Sequence, residues 1–250
     1  ADFPSYIFMY VILHRRSRNR TLGIRLEAKC MRCCKERWEQ AQLAERSGWI
    51  GRKSANDCSI GDSFVRMHVN WVKRVYGGNP NTVLEVGCGP VGLIKHLGMS
   101  RRVAVDPLLN EFRKDGFPID EHYRGCELLP SSAEDVVLDG QFDLVLCLNV
   151  LDHCMDAEKV LRRLVAWTKP DGALILRSDL RSRNGGSVYH PIVFTREDVN
   201  RVFSEVGMRV IAEYKGPPIS PLDAECEGTW LCGDHIMGSV PPYDGYERLR

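Results

Sequence analysis

Thr82-Val-Leu-Glu-Val-Gly-Cys-Gly-Pro-Val-Gly92 is the stretch of this 250-residue chain that decides its fold. An apolar run ends on an acid, and glycines follow at 87, 89 and 92. Nineteen residues beyond Gly87, a second apolar run, Val103-Ala-Val-Asp106, ends on another acid. Strand, glycine turn, helix, strand and acid is the order of a βαβ unit that binds an adenosine-containing cofactor. Glycine lets the backbone turn tightly and approach a ligand where a Cβ would collide. A carboxylate at the end of the second strand can accept hydrogen bonds from a ribose diol, each worth about 1.5–3 kcal/mol.

Glu85 discriminates between cofactors. A dinucleotide seats its pyrophosphate on the helix N-terminus, where a nearby carboxylate is unwelcome. S-adenosylmethionine carries a sulfonium and an ammonium and no phosphate, so an acid at 85 suits it better than NAD. The segment Glu85-Val-Gly-Cys-Gly-Pro-Val-Gly92 resembles the first motif of the class I S-adenosylmethionine-dependent methyltransferases, of the type 11 kind. Gln141-Phe-Asp-Leu-Val-Leu-Cys-Leu-Asn-Val-Leu-Asp-His153 is similar to the family's fourth strand and the start of the next helix. Val160 to Leu176 is similar to its helix, Lys-Pro-x-Gly turn and fifth strand, with Pro170 ending the helix and Gly172 turning the chain.

The resemblance implies an α/β, doubly wound, Rossmann-like fold. Its sheet would be mainly parallel and seven-stranded, with an antiparallel last strand, beside an N-terminal helical extension. Strands are expected near 82–86, 102–106, 122–127, 142–148, 172–178, 208–214 and 227–232, and helices over 26–48, 62–76 and 195–206. Residues 1–60 read as an extension whose helix, with Trp38 and Trp49, is a lid, and residues 61–250 as the cofactor-binding domain.

Site roles follow by the same resemblance. Glu85, Gly87, Cys88 and Gly89 would line the methionine half of the cofactor, and Gly92 would admit close helix packing. Asp106 would hold the ribose, with Pro107 and Leu108 as an adenine wall. Ser132-Ala133-Glu134 would meet the adenine edge, and Asn149 would end the strand facing the donor methyl. Displacement at a sulfonium carbon draws on positioning, and a hydroxyl acceptor also needs a base. His153 and His190 are the candidate bases, with Asp152 a candidate to orient one. The expected reaction is O-methylation of a small molecule, yielding S-adenosylhomocysteine, with no metal. A scaffold module of the same fold, methylation of a glycan or other polymer, and NAD-dependent oxidation are the alternatives.

Charge and cysteine usage bound the rest. Residues 14–37 hold nine Lys or Arg and two Glu, a surplus of seven within a chain of net charge +1. A basic arm of this kind suits nucleic acid or anionic lipid, but aromatic residues do not interleave with it before Trp38, which disfavours nucleic acid. Arg177, Arg181 and Arg183 suit a carboxylate or phosphate on the acceptor. The ten cysteines lack paired C-x-x-C spacing and read as reduced thiols in a cytoplasmic protein rather than as disulfides or a zinc site on Cys30, Cys33, Cys34, Cys226 and Cys232. Tyr6 to Leu13 is apolar but too short to cross a bilayer, which takes about 20 residues. It reads as a packed strand or a tail, and membrane association is expected only through this segment.

Overall fold

The structure is a computed structural model that describes residues 5–13, 31–54, 62–98, 100–180, 188–215, 226–227 and 247–248. Its strands are β1 (Ser5–Leu13), β2 (Thr82–Val86), β3 (Arg101–Val105), β4 (Glu127–Leu129), β5 (Phe142–Leu148), β6 (Thr168–Leu180), β7 (Arg209–Lys215), β8 (Cys226–Glu227) and β9 (Glu247–Arg248). Its helices are α1 (Lys35–Ser54), α2 (Asp62–Tyr76), α3 (Leu109–Lys114), α4 (Ile119–His122), α5 (Ala157–Trp167) and α6 (Arg196–Glu205). Among the described residues the strands join one sheet in the order β4-β3-β2-β5-β6-β1-β7-β9, with β8 against β1.

The five strands from β4 to β6 run parallel, so their carboxyl ends share one edge. Parallel strands covered on both faces are continuous apolar runs rather than alternating ones. Val83, Leu84, Val103, Ala104 and Leu144 to Cys147 accordingly have no accessible surface. The strand order reverses between β2 and β5, because the chain runs outward from β2 through β3 to β4 and then crosses back to β5; in open α/β sheets ligands bind at the carboxyl edge of such a switch point. Helix α5 begins where Asp156 accepts from Lys159 N and buries Val160, Leu161 and Leu164. Helix α6 opens on a reciprocal cap between Thr195 and Asp198.

Four expectations are corrected. The seven-stranded sheet closed by its last strand is replaced by nine described strands, and the antiparallel place beside β6 is taken by β1, which pairs antiparallel with β6 and β7. A nine-residue apolar run such as Ser5–Leu13 can fill an interior strand. The expected closing strand is described only at Cys226–Glu227, and residues 228–232 lie outside the described residues. Within the expected first helix, residues 26–30 lie outside the described residues, and residues 31–34 are not helical, because Cys33 N donates to Met155 O at 2.9 Å and Ala157 N to Met31 O at 3.0 Å; the described helix is Lys35–Ser54. The strand expected over 122–127 is Glu127–Leu129, preceded by the short helix α4.

The glycine turn, fourth, leads into a single 3-10 turn, Ile94–His96, and not a full helix. Only eight residues separate Gly92 from Arg101, too few for a helix and its return. Helix α2 and strands β2 and β5 keep their expected bounds. Among the described residues no helix is long and apolar enough to cross a membrane. Residues 14–30 of the basic arm, the arginine loop over 181–187, Cys30 and Cys232 lie outside the described residues.

Candidate active site

The glycine turn sits at the carboxyl end of β2. Gly87 and Gly89 have φ of 68° and 58°, the left-handed region that side chains rarely adopt. A Cβ on Gly87 would lie 2.2 Å from Val150 Cγ2, so the turn is pressed against the end of β5.

Glu85 and Asp106 shape this turn. Glu85 is buried, and its two oxygens accept from Leu93 N at 3.0 Å and Ile94 N at 2.9 Å. Its partners are thus the donors that open the 3-10 turn. Burial pushes its carboxyl up to about 7, against the pull of those two N–H groups. Asp106 accepts from Gly89 N at 2.9 Å through one oxygen and from Leu108 N at 2.8 Å through the other. Burial pushes Asp106 up to about 6; the Leu108 and Gly89 N–H groups and His153 oppose this, and Glu45 adds to it. Each carboxylate oxygen retains further lone pairs for a ligand.

Tyr123 holds the turn from behind. Its hydroxyl accepts from Gly92 N at 2.7 Å and lies 2.8 Å from Cys88 O and 2.7 Å from Gly89 O, to which it donates. A Cβ on Gly92 would meet Glu85 Oε2 at 2.6 Å and Tyr123 Oη at 2.7 Å. The room at Gly92 therefore serves these two side chains and not the helix packing expected from the sequence. Gly92→Ala should lower unfolding free energy by about 2–3 kcal/mol, read from chemical denaturation; wild-type stability would mean that neither neighbour is held in place.

The next strand ends complete the edge. Asn149, at the end of β5, has φ of 61°, unusual outside glycine, and its N–H donates to Arg177 O at 2.8 Å. Asn149 Oδ1 and Arg177 Nε are buried without a hydrogen-bond partner among the described residues. Such strain and unmet polarity belong at ligand sites. Cys88 and Ala133 are buried and Pro107 is half-buried at the same edge. Glu134 is committed to backbone, accepting from Met155 N at 2.8 Å and Asp156 N at 3.1 Å.

Both candidate bases meet here. Asp152 and His153 lie in a 3-10 turn, Leu151–His153, after β5, and His190 arrives from the loop after β6. His190 Nδ1 is 2.5 Å from Asp152 Oδ2, and Ser178 Oγ donates to Asp152 Oδ1 at 3.4 Å. The His153 and His190 ring centroids are 4.6 Å apart. Burial pushes the Asp152 carboxyl up, but His153, His190 and the His190 hydrogen bond outweigh it and hold it below the ordinary carboxylate range. With Asp152 ionised, the Nδ1 that faces it carries a proton, so the neutral tautomer of His190 compatible with this contact is the one with its lone pair on Nε2.

Helix α1 crosses this edge. Gln42 Nε2 donates to His153 O at 3.2 Å, and Glu45 Oε2 lies 3.7 Å from His153 Nδ1. Arg46 makes two bonds to Asp115, at 2.7 and 2.6 Å, and Lys53 donates to Asp115 O and Gly116 O. Trp49 Cζ2 would be 3.5 Å from a Cβ on Gly89, so the indole covers the glycine turn. Trp38 is half-buried. Sequence reasoning missed Tyr123, read as part of a strand, and Glu45, an ordinary acid of a charged helix.

Residues 84–176 match the family described as methyltransferase domain. Over 121 residues the chain is 31% identical to the ubiquinone biosynthesis O-methyltransferase of Pseudomonas paraeruginosa, covering 44% of this chain and 49% of that protein. Over 96 residues it is 26% identical to the protein of that name from Bradyrhizobium diazoefficiens, covering 38% of each. The chain thus spans about half, or less, of the length of these relatives. The solved N-methyltransferase NodS from Bradyrhizobium japonicum, in complex with S-adenosylhomocysteine, superposes with a TM-score of 0.52 at 16% identity, covering 75% of this chain and 98% of that one. That likeness is one of fold. The match over residues 84–176, the parallel sheet and the glycine turn at its carboxyl edge together are those of a class I S-adenosylmethionine-dependent methyltransferase domain.

Proposed function

We propose that this chain transfers the methyl group of S-adenosylmethionine to an oxygen of a small-molecule acceptor. One observation carries the reading: the Asp106 cradle and the His190–Asp152 pair occupy the same carboxyl edge, under one helix. Solved relatives in the fold hold S-adenosylhomocysteine, in NodS and in the plantazolicin methyltransferase BpumL. The ubiquinone O-methyltransferases among the sequence relatives favour oxygen as the acceptor atom. Six free thiols among the described residues suit a reducing compartment such as the cytoplasm.

The residues present fit the donor. Asp106 offers lone pairs to a ribose, and buried Asn149 Oδ1 suits an ammonium. When bound, S-adenosylmethionine supplies an activated methyl group on sulfur. The chain's own residues do the rest. His190 Nε2 removes the acceptor proton, Asp152 holds the imidazole in the tautomer that makes this possible, and Ser178 steadies Asp152. His153 packs against His190 and positions the acceptor. Helix α1 acts as the lid, with Trp49 excluding water from the glycine turn.

Calorimetry with S-adenosylhomocysteine, followed by a screen of phenolic and other hydroxyl acceptors for methyl transfer, tests this reading. No donor binding at millimolar concentration would end it.

A pH dependence follows with a definite sign. Asp106 titrates near 6 in the folded protein, above its ordinary 3.8, so below pH 6 it carries a proton that competes with backbone and ribose donors. Donor affinity should rise with pH and level off above about 7, with binding near pH 5 about tenfold weaker. Calorimetry in buffers of different ionisation enthalpy should register proton release on binding near pH 6, the value to which Asp106 is raised. A flat affinity between pH 5 and 8 would remove Asp106 from the donor site.

A further inference from the structure

Asp152, His153 and His190 each offer one ligand atom, and these atoms all lie within 4.8 Å of one another. Their side chains are only 2%, 11% and 12% exposed, and they come from two separate segments held by the sheet. Two imidazoles and one carboxylate are a donor set for zinc and its neighbours, whereas magnesium and calcium prefer oxygen alone. Zinc holds such ligands tetrahedrally at about 2.0–2.2 Å, which sets their donor atoms about 3.3–3.6 Å from one another.

A second group of contacts supports a cation here. Glu45 Oε2, on α1, lies 3.7 Å from His153 Nδ1. A carboxylate on the far nitrogen of a ligating imidazole orients the ring and strengthens it as a ligand. Asp106 adds negative charge, being near enough to His153 for the two to influence each other.

We propose that this cluster is an inhibitory binding site for a divalent transition-metal ion, in which the ion occupies the imidazole that would take the acceptor proton. Methyl transfer itself needs no metal. Coordination withdraws the His190 lone pair, or its bond to Asp152, from the base. The inhibitory half rests on the methyl-transfer reading above; the binding half does not.

The test uses the full chain, stripped with chelator, and Zn²⁺ or Co²⁺ alone as the probe. Co²⁺ should give visible d–d bands with no thiolate charge-transfer band. Zn²⁺ should bind at a single site by calorimetry. His190→Ala and His153→Ala should each weaken binding about tenfold or more, with circular dichroism showing each variant folded. Zn²⁺ should stop turnover reversibly while leaving S-adenosylhomocysteine affinity unchanged. Binding that both variants retain, or a thiolate band, would overturn the site by assigning the metal to cysteines. Site binding without loss of turnover would overturn the inhibition. Zn²⁺ binding as expected in a protein that binds no donor would leave the site standing and refute the methyl-transfer reading instead.

Discussion

Asp152→Asn lowers turnover by about 10²–10⁴-fold and leaves donor affinity close to wild type. Asp152 Oδ2 is the partner of His190 Nδ1 at 2.5 Å, and among the described residues its side-chain hydrogen bonds go to His190 and Ser178, whereas the glycine turn is held by Asp106. An amide at 152 can turn its N–H toward Nδ1, which places the proton on Nε2 and removes the base. It also meets Ser178 Oγ, now 3.4 Å from the other oxygen, so the replacement has reason to flip. The loss should appear in kcat with little change in the KM for donor, which marks a group acting on the chemical step. His190→Ala should fall as far. His153→Ala should fall less, because Asp152 holds His190 directly and approaches His153 only to 4.0 Å. Equal turnover in wild type and Asp152→Asn would retire the pair and leave positioning as the source of rate.

Asp106→Ala weakens S-adenosylhomocysteine binding about 10²–10⁴-fold, the loss of two hydrogen bonds to a charged acceptor. The structure adds a cost: Gly89 N and Leu108 N lose their acceptor, so stability should also fall by about 2–4 kcal/mol. The two effects separate by calorimetry below the unfolding transition. Unchanged donor affinity in a folded variant would refute the ribose assignment.

The parts legible in the sequence are those encoded locally. Glycines at 87 and 89 announce a turn that only glycine makes easily, and both have positive φ. Apolar runs bounded by polar residues announce β2 and β5, whose bounds come out as expected. Asp106 is legible because it ends a strand adjacent to the glycine turn in a parallel βαβ unit, and its carboxylate does reach Gly89. Glu85 is legible as an acid at the end of its strand but not in its burial or its contacts, since the eight residues that bring Leu93 back to it form a turn and not the expected helix.

What only the tertiary structure decided are the pairings between distant segments. Asp152 and His190 stand 38 residues apart and meet because β5 and β6 are neighbours, so the loops after both strands emerge at one edge. Helix α1 shows in the sequence as a charged helix, yet its seat across that edge depends on Arg46 finding Asp115 and Gln42 finding His153. Ser5–Leu13 is a strand by its composition, but its place between β6 and β7 is a matter of sheet order. Local patterns follow from backbone sterics and the period of apolar residues, which act within a few residues of chain. Which strand lies beside which is settled by burial summed over the whole sheet, and the candidate base is a product of that choice.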